Sequence, residues 1–226
     1  MQGLSIVIPA LNEAHGLAGV LHALASLQAR GTQVIVADGG STDNTAALAR
    51  AAGAWVVLSP QGRARQMNAG AAHATAHTLL FLHADTQLPP NEDQLIANAL
   101  ATGSLPVWGR FDVRIDGKSC WLPLVAQLMN WRSRLSGVAT GDQALFMTRA
   151  AFDAVGGFPV QPLMEDIEMC RRLRVLSRPA CLRERVVTSG RRWDTRGVWR
   201  TIWLMWRLRL AYWRGAAPDQ LAQRYR

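Results

Sequence analysis

Apolar residues along this chain come in short unbroken runs, separated by stretches in which they recur every three or four positions. The runs are Leu4 to Ile8 (LSIVI), Val34 to Ala37 (VIVA), Trp55 to Leu58 (WVVL) and Thr78 to Leu82 (TLLFL). Continuous apolar runs of this length suit strands buried on both faces of a parallel sheet. Between the first two runs, Leu17, Val20, Leu21, Leu24 and Leu27 keep helical spacing; between the next two, Ala46, Ala47, Leu48 and Ala51 do so. A helix over about 63–75 leads into the fourth strand. The order β-α-β-α-β with short links predicts an α/β fold, a doubly wound, mostly parallel sheet with helices on both faces.

The pattern loosens beyond residue 85. Val107 to Ile115 alternates apolar and polar residues, which predicts a strand with one covered face. Trp121 to Leu135 reads as a helix with Trp121, Leu124, Val125, Leu128 and Trp131 on one side, and ALFMT (144–148) as a further strand. After the turn Gly156-Gly157-Phe158-Pro159, a helix places Ile167, Met169, Leu173 and Leu176 inward, with Glu165 and Asp166 at its N-terminal end.

Ligands of open parallel sheets gather beyond the carboxyl ends of the strands. Two acids fall there: Asp38 after the second run and Asp85 after the fourth. The turn after Asp38, GGSTDNT, lets backbone approach a ligand while Ser41, Thr42 or Asp43 caps the next helix; Asn12 is placed to cap the first. Each feature also has a plain structural reading. Asp85 can cap the segment opening Pro89-Pro90-Asn91-Glu92, and acids at a helix N-terminus are favoured whatever their job. His15 and His22 lack partners at ligand spacing and read as surface residues. Neither the G-x-G-x-x-G fingerprint nor the P-loop pattern occurs.

The chain has 226 residues, enough for one large domain, and 49% hydrophobic residues. Cys120, Cys170 and Cys181 have neither paired nor metal-like spacing, which points to a reducing compartment, the cytoplasm. The N-terminus enters a strand pattern at once, without the profile of a signal peptide. Charge is unevenly divided: from Arg171 to Arg226 there are 15 arginines against three acids, whereas the first 170 residues carry 10 basic and 13 acidic groups. A near-neutral domain therefore carries a basic tail.

Five of the nine tryptophans lie within 193–213. Trp199, Ile202, Trp203, Trp206, Leu210 and Trp213 keep helical spacing, with Arg200, Arg207 and Arg214 in a stripe beside them. The segment is too short and too charged to span a bilayer. Two readings stand level: an amphipathic helix over 196–214 lying on an anionic membrane at its inner face, or a face packed on its own domain or on a second copy as a homodimer. Nucleic acid is disfavoured, because the rings follow an apolar face and are not interleaved with the basic groups.

Five segments in order resemble the family 2 glycosyltransferases of GT-A fold: IVIPALNE (6–13), VADGGSTDNT (36–45), GRARQMNAG (62–70), FLHADT (81–86) and MEDIEMCRRLR (164–174). The HADT segment, the short length and the Arg-Trp-rich end are similar to a bacterial subgroup labelled arsenosugar-type or radical-SAM-associated transferases. The resemblance implies a Rossmann-like catalytic domain over 1–190, a helical tail over 191–226, and transfer of a hexosyl group, with inversion, from a nucleotide-sugar donor to an unidentified acceptor hydroxyl. It implies that Pro9, Leu11, Glu13, Asp38, Gly39, Arg65, Asn68 and Arg192 bind the donor. By the same resemblance Asp85, with His83, holds Mg²⁺ or Mn²⁺; Asp166 is the general base supported by Glu165; and Gly141, Asp142 and Trp193 meet the acceptor. Ser189 stands where processive members carry the Gln of Q-x-x-R-W, which disfavours polymer synthesis. Two other functions compete: a sugar-nucleotide nucleotidyltransferase, disfavoured by PALNE in place of a Gly-rich Arg/Lys loop, and a non-catalytic membrane-associated GT-A module, disfavoured by retention of Asp38, Asp85 and Asp166.

Overall fold

A computed structural model describes residues 3–100 and 105–225. The strands β1 (Leu4–Ala10), β2 (Gln33–Asp38), β3 (Trp55–Leu58), β4 (Thr78–Phe81), β5 (Thr86–Gln87), β6 (Trp108–Asp116), β7 (Leu145–Thr148) and β8 (Ala180–Ser189) form one sheet in the order β3-β2-β1-β4-β7-β6-β8-β5. The helices are α1 (Ala14–Ala29), α2 (Thr45–Ala51), α3 (Arg63–His73), α4 (Glu92–Leu100), α5 (Leu122–Ser136), α6 (Arg149–Ala154), α7 (Glu165–Leu176), α8 (Arg191–Arg196), α9 (Val198–Trp213) and α10 (Pro218–Tyr225). Strands β3, β2, β1 and β4 are parallel, with Ile6 opposite both Val34 and Leu80. Strand β7 runs antiparallel to β4, and β6 pairs parallel with β8.

Three of the four apolar runs are continuous because both faces of their strands, β1, β2 and β4, are covered; the remaining one, β3, is the edge strand of the sheet, and its Trp55 and Leu58 are exposed, so it is not the doubly buried strand its sequence predicts. Ile6, Ile8, Val36, Leu80 and Leu82 pack with α1 residues Leu17, Leu21 and Leu24 on one face. Val7, Leu79 and Phe81 pack with Ala64, Met67 and Ala71 of α3 and Met169 and Leu173 of α7 on the other. Strand alternation thus divides one run between two cores. Gly70 allows α3 its close approach: a Cβ there would collide with the Val7 side chain.

Three local expectations are corrected. Asn12 does not cap α1, whose N-cap is Glu13 with no side-chain bond; the Asn12 Oδ1 instead accepts from the Thr42 N–H at 2.8 Å, tying the first loop to the second. On α2 the buried residues are Thr45 and Ala49, and Leu48 lies at the surface. Strand β6 is covered on both faces from Trp108 to Val113, although its sequence alternates. Its polar residues are paired in the interior: Arg110 is fully buried, donates to the Asp112 carboxylate and, at 3.2 Å, to the Asn130 carbonyl. Arg134 adds a second bond to Asp112 at 2.8 Å.

The C-terminal helices pack on the domain. Val198 belongs to the first core and Ile202 lies against it, while Leu208 and Leu221 cluster with Met164, just ahead of α7. Among the described residues no helix is long and apolar enough to cross a membrane.

Asp112→Ala leaves the buried Arg110 guanidinium without its carboxylate and is expected to cost about 3–5 kcal/mol. Asp93→Ala, which breaks the exposed pair with Arg30 at 3.1 Å, is expected to cost under ~1 kcal/mol. Urea denaturation of both variants checks the contrast; equal losses would deny Arg110 its buried-pair role.

Candidate active site

The loops at the carboxyl ends of β1, β2 and β4 meet the N-terminus of α7, the turn at 140–144 and α8. Asp38 is buried at the end of β2, and its carboxylate accepts from the Ser41 N–H at 3.2 Å and from the Ser41 hydroxyl. The Asn12 N–H bonds Ser41 Oγ at 2.9 Å and the Glu13 N–H bonds Thr45 Oγ1 at 2.9 Å. Asp38 therefore organises the loop that carries it. Beneath it, buried Gln66 donates to the carbonyls of Ala10 and Ala37 at 2.7 and 3.0 Å, pinning the ends of β1 and β2. The Gly39 N–H also bonds Ala10 O at 2.9 Å, with the Gln66 amide against its Cα. Pro9 and Leu11 are half-buried along the same rim.

Across the cleft lie the acids of α7. Glu165 is buried and pairs with Arg63 at 3.3 Å, while half-buried Asp166 accepts from the Gly141 N–H at 2.7 Å. Burial, with Asp166 alongside and a hydrogen bond between the two, pushes Glu165 up to about 7 against the pull of Arg63. The Arg63 side chain is 48% exposed; desolvation by its neighbours opposes the charge, but Glu165, Asp166 and Asp142 outweigh it and raise its pKa. Desolvation likewise opposes the half-exposed Asp142 carboxylate, yet His83, Arg63 and Arg192 hold it below its usual range. The His83 Nδ1 lies 3.3 Å from Asp142 Oδ1.

On the near side, Arg191 of α8 reaches Glu13 at 3.8 Å. Burial raises the Glu13 pKa, Arg191 opposing and Asp85 adding to the rise. Arg192 stacks on the Tyr225 ring at 4.2 Å; burial and then the neighbouring Arg196 and Arg63 lower its pKa, against Asp142 and Asp85. The centre is a compact field of alternating charge: Glu13, Asp85, Asp142, Glu165 and Asp166 interleaved with Arg63, Arg191 and Arg192.

Asp85 is only half-buried, and its carboxylate receives one long bond, from Thr86 Oγ1 at 3.4 Å. No group of three or more His, Cys, Asp or Glu among the described residues forms a complete metal site. A hard divalent ion that draws most of its oxygens from phosphates and water needs only one or two carboxylates from the protein. Asp85 fits that need.

Four expected site residues sit differently. His83 is not presented as a metal ligand: Nδ1 faces Asp142 and Nε2 is buried against Gly141, where any Cβ would collide with it. Asn68 uses both ends of its amide on Phe158, N–H and C=O, at 2.9 and 2.8 Å, and so clamps a turn outside the charged cluster. Trp193 lies against the first core and is not a free ring. Arg63 and Arg65 are both exposed, but Arg63 is the one that meets the acids. Residues two apart on a helix face different ways, so only one of the pair in GRARQ can reach them. Arg63, Arg191 and Gln66 went unread in the sequence; the arginine pair was the available signal for the first.

Residues 5–154 match the family described as Glycosyl transferase family 2. The chain belongs to that family. An uncharacterized glycosyltransferase of Mycobacterium bovis is 31% identical over 133 residues, 58% of this chain and 59% of that protein. The chain thus spans about three-fifths of the length of the curated relatives it matches. Among solved structures, glucosyl-3-phosphoglycerate synthase from Mycobacterium tuberculosis, in complex with Mn²⁺, UDP and phosphoglyceric acid, aligns over 83% of this chain and 69% of its own at TM-score 0.63 and 23% identity. Mannosyltransferase PcManGT from Pyrobaculum calidifontis, in complex with GDP-Man and Mn²⁺, aligns over 92% and 60% at TM-score 0.64 and 21% identity. Both share the GT-A fold with this family 2 chain.

The raised carboxyl of Glu165 has a thermodynamic signature. Between its ordinary value of 4.5 and about 7, the folded protein holds a proton that the unfolded chain has released, so stability falls as pH rises through that window. Glu165→Gln cannot ionise. Its Tm is expected to decline less than wild type over this range, and identical Tm–pH slopes would contradict the assignment.

Proposed function

We propose that this chain is an inverting glycosyltransferase that moves a hexosyl group from a nucleoside-diphosphate sugar to an acceptor hydroxyl, with Asp166 as general base. The observation that carries the reading is the charge arrangement: a half-buried carboxylate fixed by the Gly141 N–H, opposite an under-bonded carboxylate at Asp85, with Arg192 beside it. Family membership and the nucleotide ligands of the two solved relatives support the donor class, UDP- or GDP-linked.

In this mechanism the acceptor oxygen attacks the anomeric carbon while its proton passes to the Asp166 carboxylate. The bond from that carbon to the diphosphate oxygen breaks on the opposite face, and the nucleoside diphosphate leaves with the electron pair. Asp85 would hold a divalent ion, Mn²⁺ or Mg²⁺, which when bound neutralises diphosphate charge. Arg192 adds a fixed positive charge on the same side. Glu165, deep and paired with Arg63, holds the start of α7 and the electrostatics of Asp166, and does not itself reach the acceptor. Glu13, Asp38 and Gly39 line the nucleotide end together with Pro9 and Leu11, and Asp142 stands on the acceptor side beside Gly141. In this reading 1–190 supplies the catalytic frame and 191–226 contributes Arg192 to it.

Two variants test the division of labour. Asp85→Ala is expected to abolish the Mn²⁺-dependent part of UDP or GDP binding in calorimetry. Asp166→Asn is expected to leave that binding intact and to slow release of nucleoside diphosphate from donor sugar roughly a hundredfold or more. Unchanged metal dependence in the first, or donor binding lost in step with turnover in the second, would overturn the respective role.

A further inference from the structure

Helices α5 and α9 each carry a stripe of five large apolar residues that faces away from the protein. On α5 these are Trp121, at its N-cap, Leu124, Leu128, Trp131 and Leu135; on α9 they are Trp199, Trp203, Trp206, Leu210 and Trp213. All ten are between 45% and 86% exposed. The spacing is three and four residues in alternation, one continuous side of a helix. The opposite sides hold the helices in place: Leu122, Val125 and Ala126 on α5, and Val198, Thr201 and Leu208 on α9, are buried. Neither stripe is therefore the inward face of its helix. The side expected from sequence to carry the apolar residues of 121–135 contributes only Val125 to the core.

The two stripes join. Trp121 and Trp199 meet edge to face with ring centroids 5.3 Å apart, so the apolar surface passes from one helix to the other although 77 residues separate them in the chain. Taking about 150–250 Å² per tryptophan, the six indoles alone leave roughly 600 Å² or more uncovered, at or above the largest patch on an ordinary monomer.

Charge chooses the occupant. Neither 118–135 nor 195–218 contains an Asp or Glu, while the second stretch carries Arg196, Arg200, Arg207, Arg209 and Arg214. Arg200, Arg207 and Arg214 are exposed one heptad apart beside the rings, and Arg207 lies over Trp203 at 4.3 Å. Alongside, a groove of about 910 Å³ has an apolar floor of Leu204, Leu208 and Ala211 and a rim bearing Arg207, Arg214 and Arg224. A second copy docked symmetrically on this face would set arginine against arginine with no acid from either helix to separate them. An anionic bilayer supplies both requirements, acyl chains for the rings and phosphates for the arginines.

We propose that the outer faces of α5 and α9 form one docking surface for an anionic membrane, on which the chain lies without crossing. This does not rest on the catalytic reading. The surface is close behind the charged cleft, since Leu208 of α9 clusters with Met164, the residue before Glu165.

The test uses the full chain with vesicles of phosphatidylcholine alone and of phosphatidylcholine and phosphatidylglycerol in equal parts. At low salt, co-sedimentation is expected with the mixed vesicles at least about tenfold tighter than with phosphatidylcholine, accompanied by a blue shift of tryptophan emission and weakened by added salt. Leu128→Glu/Trp131→Glu on α5 and Trp203→Glu/Trp206→Glu on α9 are each expected to weaken it about tenfold or more, with thermal melts matching wild type because the altered positions are exposed. Failure to sediment with mixed vesicles at low salt overturns the proposal. So does binding by the folded α5 variant equal to wild type, which would leave α9 acting alone. A dimer by light scattering that either variant dissociates, without vesicle binding, assigns the face to a second copy.

Discussion

Carboxylates of like charge do not share a cleft unless cations are built in among them. Here Glu13, Asp85, Asp142, Glu165 and Asp166 converge from four separate segments, and Arg63, Arg191 and Arg192 are set between them. Arg63 counts most, because Glu165 is buried and Arg63 is its one ion-pair partner among the described residues. Even so, burial and Asp166 keep the Glu165 proton affinity high, and Asp166 is the more exposed acid of the pair. Met169 and Leu173 anchor α7 in the core, and this pairing ties its first turn to α3.

That arrangement is affordable only on a stiff frame. The parallel strands deliver the loops, and a few short-range devices lock them: Gln66 bridging the ends of β1 and β2, Asp38 holding Ser41, and Asn12 and Thr42 joining neighbouring turns. Gly141 shows the same economy on the other wall. It lets the His83 ring close against its Cα while its N–H fixes Asp166. A side chain there would disturb both the His83–Asp142 contact and the orientation of the proposed base.

The C-terminal segment links the cleft to the outer surface. Helix α8 presents Arg191 and Arg192 to the acids, α9 buries Val198 in the main core, and Leu208 rests against Met164. The four tryptophans of α9 are then left outside, because the sides carrying Val198, Thr201 and Leu208 are the ones consumed by packing. The aromatic stripe is exposed as a consequence of which face the rest of the chain accepts.

The sequence by itself determined the parallel half of the sheet, since unbroken apolar runs such as Leu79 to Leu82 have no other comfortable environment. It also determined the two strand-end acids, the helix opened by Glu165 and Asp166, and the family, through five motifs in order. Those are local properties, carried by spacing and by short motifs. Tertiary structure decided which polar residues face one another. Alternation in β6 cannot say that Arg110 and Asp112 will find each other and Arg134 in the interior; two arginines in GRARQ cannot say that Arg63 meets Glu165, 102 residues away. Nor can helical periodicity say which side of α5 or α9 is turned inward, because an apolar stripe has the same period whether it meets a core or the outside. Ion pairs and exposed faces are relations between distant segments, and only the folded chain brings the partners, or their absence, into place.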